Sequence, residues 1–470
     1  MIDLQSLTIT SARKKLDAKE FSAVSLAQAY LDEIEKKNES LNAYLEVYGD
    51  VIEQATYADN LIAEGKSFPL LGIPLAIKDN ILIKGKKVTA ASKILGNYIA
   101  TYDATVIKKL KENGAVFLGR ANMDEFAMGG STENSAFGPT KNPHDISRVA
   151  GGSSGGSAAI VAADLALGAL GSDTGGSIRE PASFCGVVGF KPTYGVVSRY
   201  GLMALGSSLD CIGPITKTVE DSQIILEAIK GLDILDSTTI AISLTPSEKA
   251  KVIGVPWSVV NMEGVDPKVK ENFLSSIEKL KVLGYEIKDI SLPNLGLALA
   301  IYYIIMPAEA SSNLSRFDGI KFGLHVPGKD LIQDYNFTRG QGFGLEVRRR
   351  ILLGTYVLSS GYYDAYYSKA EKARAILKKE FENAFKEVSL ILTPTAPFPA
   401  WKIGEKNDPL SVYLADIFTV TANIVGVPAI SIPSGVVEVL GKNLPVGIQF
   451  MAPQGEDSLL FEVGKIFESK

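Results

Sequence analysis

The chain has 470 residues, 46% of them hydrophobic, and a formal net charge of −5. That is enough apolar material for a large core, and the acidic balance argues against a surface that grips nucleic acid throughout, because counterion release needs clustered Lys and Arg. The two cysteines, Cys185 and Cys211, stand far apart and in no CxxC pair, which excludes a disulfide framework or zinc knuckle and fits a reducing cytoplasm.

The opening MIDLQSLTIT lacks the basic and apolar regions of a signal peptide. No run of about 18 uncharged apolar residues predicts a membrane span, so a soluble cytoplasmic protein is expected. Ser25 with Gln28 forms a capping-box pattern. Leu26, Tyr30 and Ile34 recur at helical spacing, predicting an amphipathic helix over 25–37. PLLGIPLAIKDNI, from Pro69 to Ile81, predicts a short buried strand ending near Lys78. Ala104 to Arg120 reads as a helix, a stop at Gly114 and a strand. Ala158 to Asp173 reads as a small-residue helix and a buried strand over Leu165 to Leu170. Strand, helix and strand recur from KVIGVP to Ile290, with Pro267 in the first helical turn, and a long helix and strand follow over Ala370 to Pro394. Such alternation predicts an α/β/α layered fold around a mixed central sheet. With no repeat, low-complexity tract or linker, a single large domain over 1–470 is expected.

Several chemistries find no support. The two histidines, His144 in the turn-like KNPHD and His325 after KFGL, lack partners at metal-ligand spacing, so neither a metal site nor a Ser–His–Asp triad is predicted. EGKS ends like a phosphate loop, but Asn60 occupies the required upstream glycine position. GFGLEV, from Gly342 to Val347, lacks the last glycine of a dinucleotide fingerprint.

Two glycine–serine segments remain: GGSSGGS (Gly151 to Ser157) and GSDTGGSIRE (Gly171 to Glu180). The second follows a predicted buried strand and precedes a helix start. Glycines there let successive N–H groups converge on an anion or on a transient oxyanion. Ser177 would lie beside those amides, placed as an acyl-transfer nucleophile. A serine needs a base, and Lys78 is a candidate because it ends an apolar run where burial would keep its amine neutral. Ser153 and Ser154 in the first segment can relay a proton, since a hydroxyl both donates and accepts.

GIPLAIKDN around Lys78, RVAGGSSGGSAA around Ser153 and GSDTGGSIREPASFCGVVGFKPTYG around Ser177 together resemble the amidase signature family, in order and in spacing. The likeness spans essentially the whole chain, with a signature core over about residues 70–215. NMDEFAMGGSTENSAFGPTKNP (Asn122 to Pro143), VSRYGLMALGSSLDCIGPIT, SSNLSRFDGIKFG (Ser311 to Gly323) and GFGLEVRRRILLGTYVLSSGYYDAYY (Gly342 to Tyr367) narrow the likeness to the glutaminase subunits of tRNA-dependent amidotransferases. Ala150 and Glu180 depart from that pattern, where proline and glutamine are usual.

The resemblance implies that Ser177 attacks the carboxamide of glutamine. Ser153, after a cis peptide bond, would pass the proton to Lys78, and the amides of Thr174, Gly175, Gly176 and Ser177 would form the oxyanion hole. It points to Asp416 for the α-ammonium and Arg350 for the α-carboxylate of glutamine, with Tyr302 lining the site. Glu125 and Ser131 are candidates for an ammonia route. No cofactor or metal is expected in this chain. ATP and magnesium would be used on a second protein, the B subunit, which also holds the aminoacyl-tRNA, with a small C subunit clamping the two together. The acceptor would be Glu-tRNA(Gln), Asp-tRNA(Asn) or both. A free-standing amidase acting on small or aryl amides is the alternative.

Overall fold

The computed structural model describes residues 2–243, 251–406 and 408–469. Among the described residues, eleven strands form one mixed sheet. From one edge they run Tyr44–Val47, Val116–Ala121, Pro74–Lys78, Gly168–Asp173, Cys211–Thr216, Val188–Lys191, Ala429–Val439, Lys442–Met451, Leu390–Pro394, Val252–Val255 and Glu286–Asp289. Pro74–Lys78 is parallel to both neighbours, Val116–Ala121 and Gly168–Asp173, and every residue of the three strands is buried. Strands covered on both faces carry no polar alternation, which is why PLAIK reads as an apolar run closed by one lysine.

The strand period of two divides the core into two layers. Leu390 and Leu392 enter one hydrophobic cluster, while Ile391 between them enters the other. Phe450 and Met451 separate in the same way. The first layer holds Leu26, Tyr30, Ile160 and Ile225, and the second holds Ile305, Val347 and Leu377. The helices that supply these residues cover the sheet, giving the mixed α/β layering anticipated from the alternating elements.

Two local readings need correction. The first long helix runs Ala23–Leu41 and is capped by Ser22, whose hydroxyl accepts from Ser25 N–H at 3.0 Å. The cap thus falls one turn before the Ser25–Gln28 pattern. The strand expected at Leu165 to Leu170 instead spans Gly168–Asp173 and carries Gly171 within it. A Cβ on Gly171 would lie 2.9 Å from both Ile178 Cγ1 and Ser154 Oγ. The glycine there serves close packing rather than a turn.

The helical stretch Leu295–Arg316 is long and apolar enough by composition to cross a membrane, but half of its most apolar window is buried inside the protein. His144 sits in the turn of a two-stranded hairpin, near the Cys185 carbonyl, and His325 is exposed.

Segments from the two ends of the sequence meet at a pair of carboxyls. Asp221 accepts Ile9 N–H at 2.9 Å, and Glu468 accepts Val219 N–H at 2.9 Å. Burial pushes both up to about 7, and the Asp221 charge adds to the effect on Glu468. A raised folded-state value means the folded protein binds more protons than the unfolded chain between about pH 4 and 7, so this contribution to stability is lost as pH rises through that interval. D221N therefore flattens the decline, which urea unfolding of wild type and variant across pH 4 to 8 will measure.

Candidate active site

Lys78 closes its strand at the carboxyl end of the parallel trio, beside Ser172 of the next strand. In such sheets that end is where sites form. The side chain is fully buried. Its Nζ lies 2.7 Å from Ser153 Oγ, 2.8 Å from Ser154 Oγ, 2.9 Å from Ser172 Oγ and 3.2 Å from the Ser172 carbonyl. Burial lowers its pKa to about 7, against the opposing pull of Asp124, Asp173 and Asp210. A neutral amine has two N–H groups and one lone pair. The carbonyl must accept, so a hydroxyl is left to donate to nitrogen, and Ser153 is the nearest.

Two buried aspartates brace the loops around this amine. Asp124 accepts from the N–H groups of Ser131, Thr132 and Asn134 at 3.3, 2.8 and 3.1 Å, and its own N–H donates to the Ser153 carbonyl at 3.2 Å. Burial raises it to about 6 despite these donors. A Cβ on Gly152 would fall 2.1 Å from Asp124 Oδ2, so only glycine lets the loops approach this closely. The peptide bond between Gly152 and Ser153 is cis. Asp173 accepts from Gly176 N–H, Ile178 N–H and the Arg179 guanidinium at 2.9 to 3.1 Å. Burial would raise Asp173, but Arg179 outweighs it and holds the carboxylate at about 2. Asn423 donates to Asp173 and accepts from Arg179.

Ser177 comes two residues before the helix Arg179–Cys185. Its carbonyl accepts Ser154 N–H at 3.0 Å, which ties the Ser177 loop to the serine loop. The Ser177 hydroxyl makes no hydrogen bond among the described residues, so the structure brings Lys78 and Ser153 into contact and places Ser177 beside them without closing the second leg. The amides of Thr174, Gly175 and Ser177 also hold no partner among the described residues. Gly176 is different: its N–H is committed to Asp173, which removes it from the oxyanion-hole set expected from sequence. Gly176 instead serves the backbone, at φ +142, where a Cβ would lie 2.3 Å from Thr419 Oγ1.

The expected glutamine clamp adjoins this loop. A Cβ on Gly175 would touch Tyr302 at 2.7 Å, so the Tyr302 ring walls the loop. Thr419 Oγ1 donates to the Gly175 carbonyl at 2.7 Å, and Thr419 N–H donates to the Asp416 carbonyl at 3.0 Å. Asp416 accepts from Tyr303 Oη at 3.3 Å. Burial lifts it to about 7, with Arg350 and the Tyr303 hydrogen bond pulling the other way. Arg350 is buried beside the stacked rings of Tyr303 and Tyr413, and donates to Glu346 Oε1 at 2.7 Å. Arg349 is largely exposed. Glu125 accepts Gly344 N–H at 2.8 Å, just before the helix Leu345–Leu358 that carries Arg350. Ser131 sits on the Asp124-braced loop.

The family model described as amidase matches residues 25–461. The chain belongs to the amidase signature family. The A subunit of the glutamyl-tRNA(Gln) amidotransferase from Thermoanaerobacter pseudethanolicus is 52% identical over 478 residues, covering 99% of this chain and 97% of its own. Its namesake from Desulfatibacillum aliphaticivorans is 50% identical, with coverage of 99% and 97%. The crystal structure of the protein of that name from Thermotoga maritima superposes with a TM-score of 0.82 at 42% identity, covering all of this chain and 96% of that one.

Sequence reasoning missed Ser172, Asp124, Asp173, Asp210 and Thr419. All but Thr419 lie in quoted motifs, but a carboxylate that binds backbone amides leaves no periodic signal.

Buried Lys78 has a signature in stability. An unfolded lysine stays protonated to about pH 10, whereas folded Lys78 loses its proton near pH 7, so burial of this residue destabilises the fold least at high pH. K78M should raise unfolding stability at pH 7 and abolish the part of the rise between pH 7 and 10 that Lys78 supplies. Denaturant titrations of the variant and wild type at pH 6, 8 and 10 measure the difference; equal pH slopes would place the amine in its ordinary charged state.

Proposed function

We propose that this chain is the glutamine-hydrolysing component of a tRNA-dependent amidotransferase. One observation carries the reading: a lysine amine poised near neutrality against Ser153 lies beside a loop that is joined, through Thr419, to the acidic Asp416. Relatives about half identical along nearly the whole chain bear the name of that component. Free glutamine presents one cation and one anion besides its amide, and Asp416 and Arg350 supply the opposite charges.

In this reading Ser177 Oγ attacks the δ-carbonyl carbon of glutamine. Its proton moves to Ser153 Oγ as the Ser153 proton moves to the lone pair of Lys78. The tetrahedral oxyanion receives hydrogen bonds from the free amides of Thr174, Gly175 and Ser177. The C–N bond then breaks, ammonia takes the proton back through the same relay, and water clears the glutamyl ester to glutamate. Each step uses a group that both donates and accepts, so no histidine is needed.

The ammonia is passed to a B subunit, which binds ATP, magnesium and the aminoacyl-tRNA, with a C subunit joining this chain to it. The acceptor is Glu-tRNA(Gln), Asp-tRNA(Asn) or both, in the cytoplasm. Glu125 and Ser131 border the path out of the serine loop.

In the assembled complex, S177A abolishes glutamine-dependent amidation of tRNA and leaves ammonium-dependent amidation intact. Retained use of glutamine would remove Ser177 from its role. D416A raises the KM for glutamine at least ten-fold, about the value of one charged hydrogen bond, and spares a simple amide without an α-ammonium. Steady-state kinetics on both substrates decide this, and equal losses would favour a general amidase.

A further inference from the structure

Glu180 is fully buried three residues beyond Ser177, and the mechanism above gives it no part. Its Oε2 accepts Gly152 N–H at 2.9 Å, directly before Ser153. Its Oε1 is buried and has no hydrogen-bond partner among the described residues. Buried carboxylates normally collect several donors or a cation; this one holds a single amide. Asp416 exerts the strongest field on it, followed by Asp124 and Asp173. Lys406 also lies within its field, the Cys185 thiol is a neighbour, and Arg179 next in the chain is directed to Asp173.

The direction of the free oxygen is given by Gly130. A Cβ placed there would lie 3.6 Å from Glu180 Oε1 and 3.8 Å from Val412 Cγ1, ordinary contact distances that leave room. Val412 belongs to the helix Pro409–Tyr413, and the next turn, Leu414–Asp416, carries Asp416. Oε1 therefore lies on the side of Glu180 toward the Gly130 loop and the helix that leads to Asp416.

We propose that Glu180 is the second carboxyl of the seat for the substrate's α-ammonium: Glu180 and Asp416 share one negative charge in the free enzyme, and the arriving cation releases the proton of Glu180. The inference rests on the glutamine reading above. With Oε2 accepting from Gly152, the proton belongs on Oε1, the unpartnered atom on the side toward Asp416. Burial and the Asp416 charge hold this carboxyl well above the usual carboxylate range, as two close acids require. When an ammonium enters, the Oε1–H bond breaks and the proton passes to solvent. Oε1 then accepts an N–H from the ligand, while Oε2 keeps its bond to Gly152.

Calorimetry on the full chain carrying S177A tests this, with L-glutamine and glutaramate, its analogue without the α-amino group, as probes. Titrations at pH 7 in two buffers of different protonation enthalpy count protons. L-glutamine should release about one proton and glutaramate none. E180Q keeps an acceptor for Gly152, so it should retain the fold, abolish the release and weaken L-glutamine about ten-fold while leaving glutaramate unchanged. Absence of proton release from the S177A parent overturns the proposal without reliance on any further variant. So does an E180Q protein with the parent's affinity and release. D416N separates the two levels: if it alone loses the preference for L-glutamine over glutaramate, Glu180 has no part and the glutamine reading stands. If the parent itself shows no preference, the ammonium seat and the glutamine reading fall together.

Discussion

Taking one ammonium group out of water is the constraint around which this site is built. A chain with two histidines, neither hydrogen-bonded to the serine loops among the described residues, must find its base elsewhere. Full burial can lower the pKa of a lysine by about 3 to 5. Left to burial alone, the amine would be too weak a base to accept a serine proton. Asp124, Asp173 and Asp210 pull the other way, and the balance falls near 7. Hydroxyls around Nζ suit both protonation states, because each can turn to accept from the ammonium or donate to the amine. A carboxylate in direct contact would have fixed the ammonium as a salt bridge.

That requirement explains how the nearby acids are used. None of the three aspartates pairs with Lys78. Asp173 is given to Arg179 and to two loop amides, Asp124 to three amides, and Asp210 to Thr174 Oγ1 and the amides of Leu205 and Gly206. Each carboxylate is therefore occupied by backbone and holds a loop rigid, while its charge reaches the lysine only at longer range. Glycine is the other half of the device: at Gly152, Gly175 and Gly176 a side chain would overlap Asp124, Tyr302 or Thr419. Preorganised loops of this kind spare the reaction the free energy of reorganising them.

The layered architecture was legible because its signals are local. A lysine ending an apolar run, a glycine after KKLKEN and a proline after Asp266 each declare an element boundary in a few residues, and the structure places strand or helix ends there. Ser22, not Ser25, caps the first long helix because a cap is decided by which hydroxyl reaches the free amides, and Ser22 does so although Ser25 rather than Glu or Gln stands three residues on. Lys78 and Ser153 stood out as candidates by chemical type and position, and the structure puts them in contact. The acids did not stand out, because Asp124 finds its place only once distant segments fold together. The fate of the Gly176 amide was equally hidden: a glycine-rich turn announces free N–H groups without saying which of them an internal carboxylate will claim.

Recognition and chemistry meet in Thr419. Its hydroxyl is bound to the nucleophile loop at Gly175, and its own amide is bound to the Asp416 carbonyl. A shift of the loop would therefore be felt at Asp416, the residue proposed to hold the α-ammonium, and the reverse holds equally. In the proposed function, binding energy gained at the charged end of the substrate would in this way be available to orient its amide against Ser177. A simple amide can occupy the same chemistry but has nothing with which to pull on Asp416. In the proposed function the arrangement would discriminate by what the far end of the substrate does to the position of the near end, which a deeper or more apolar pocket would not achieve.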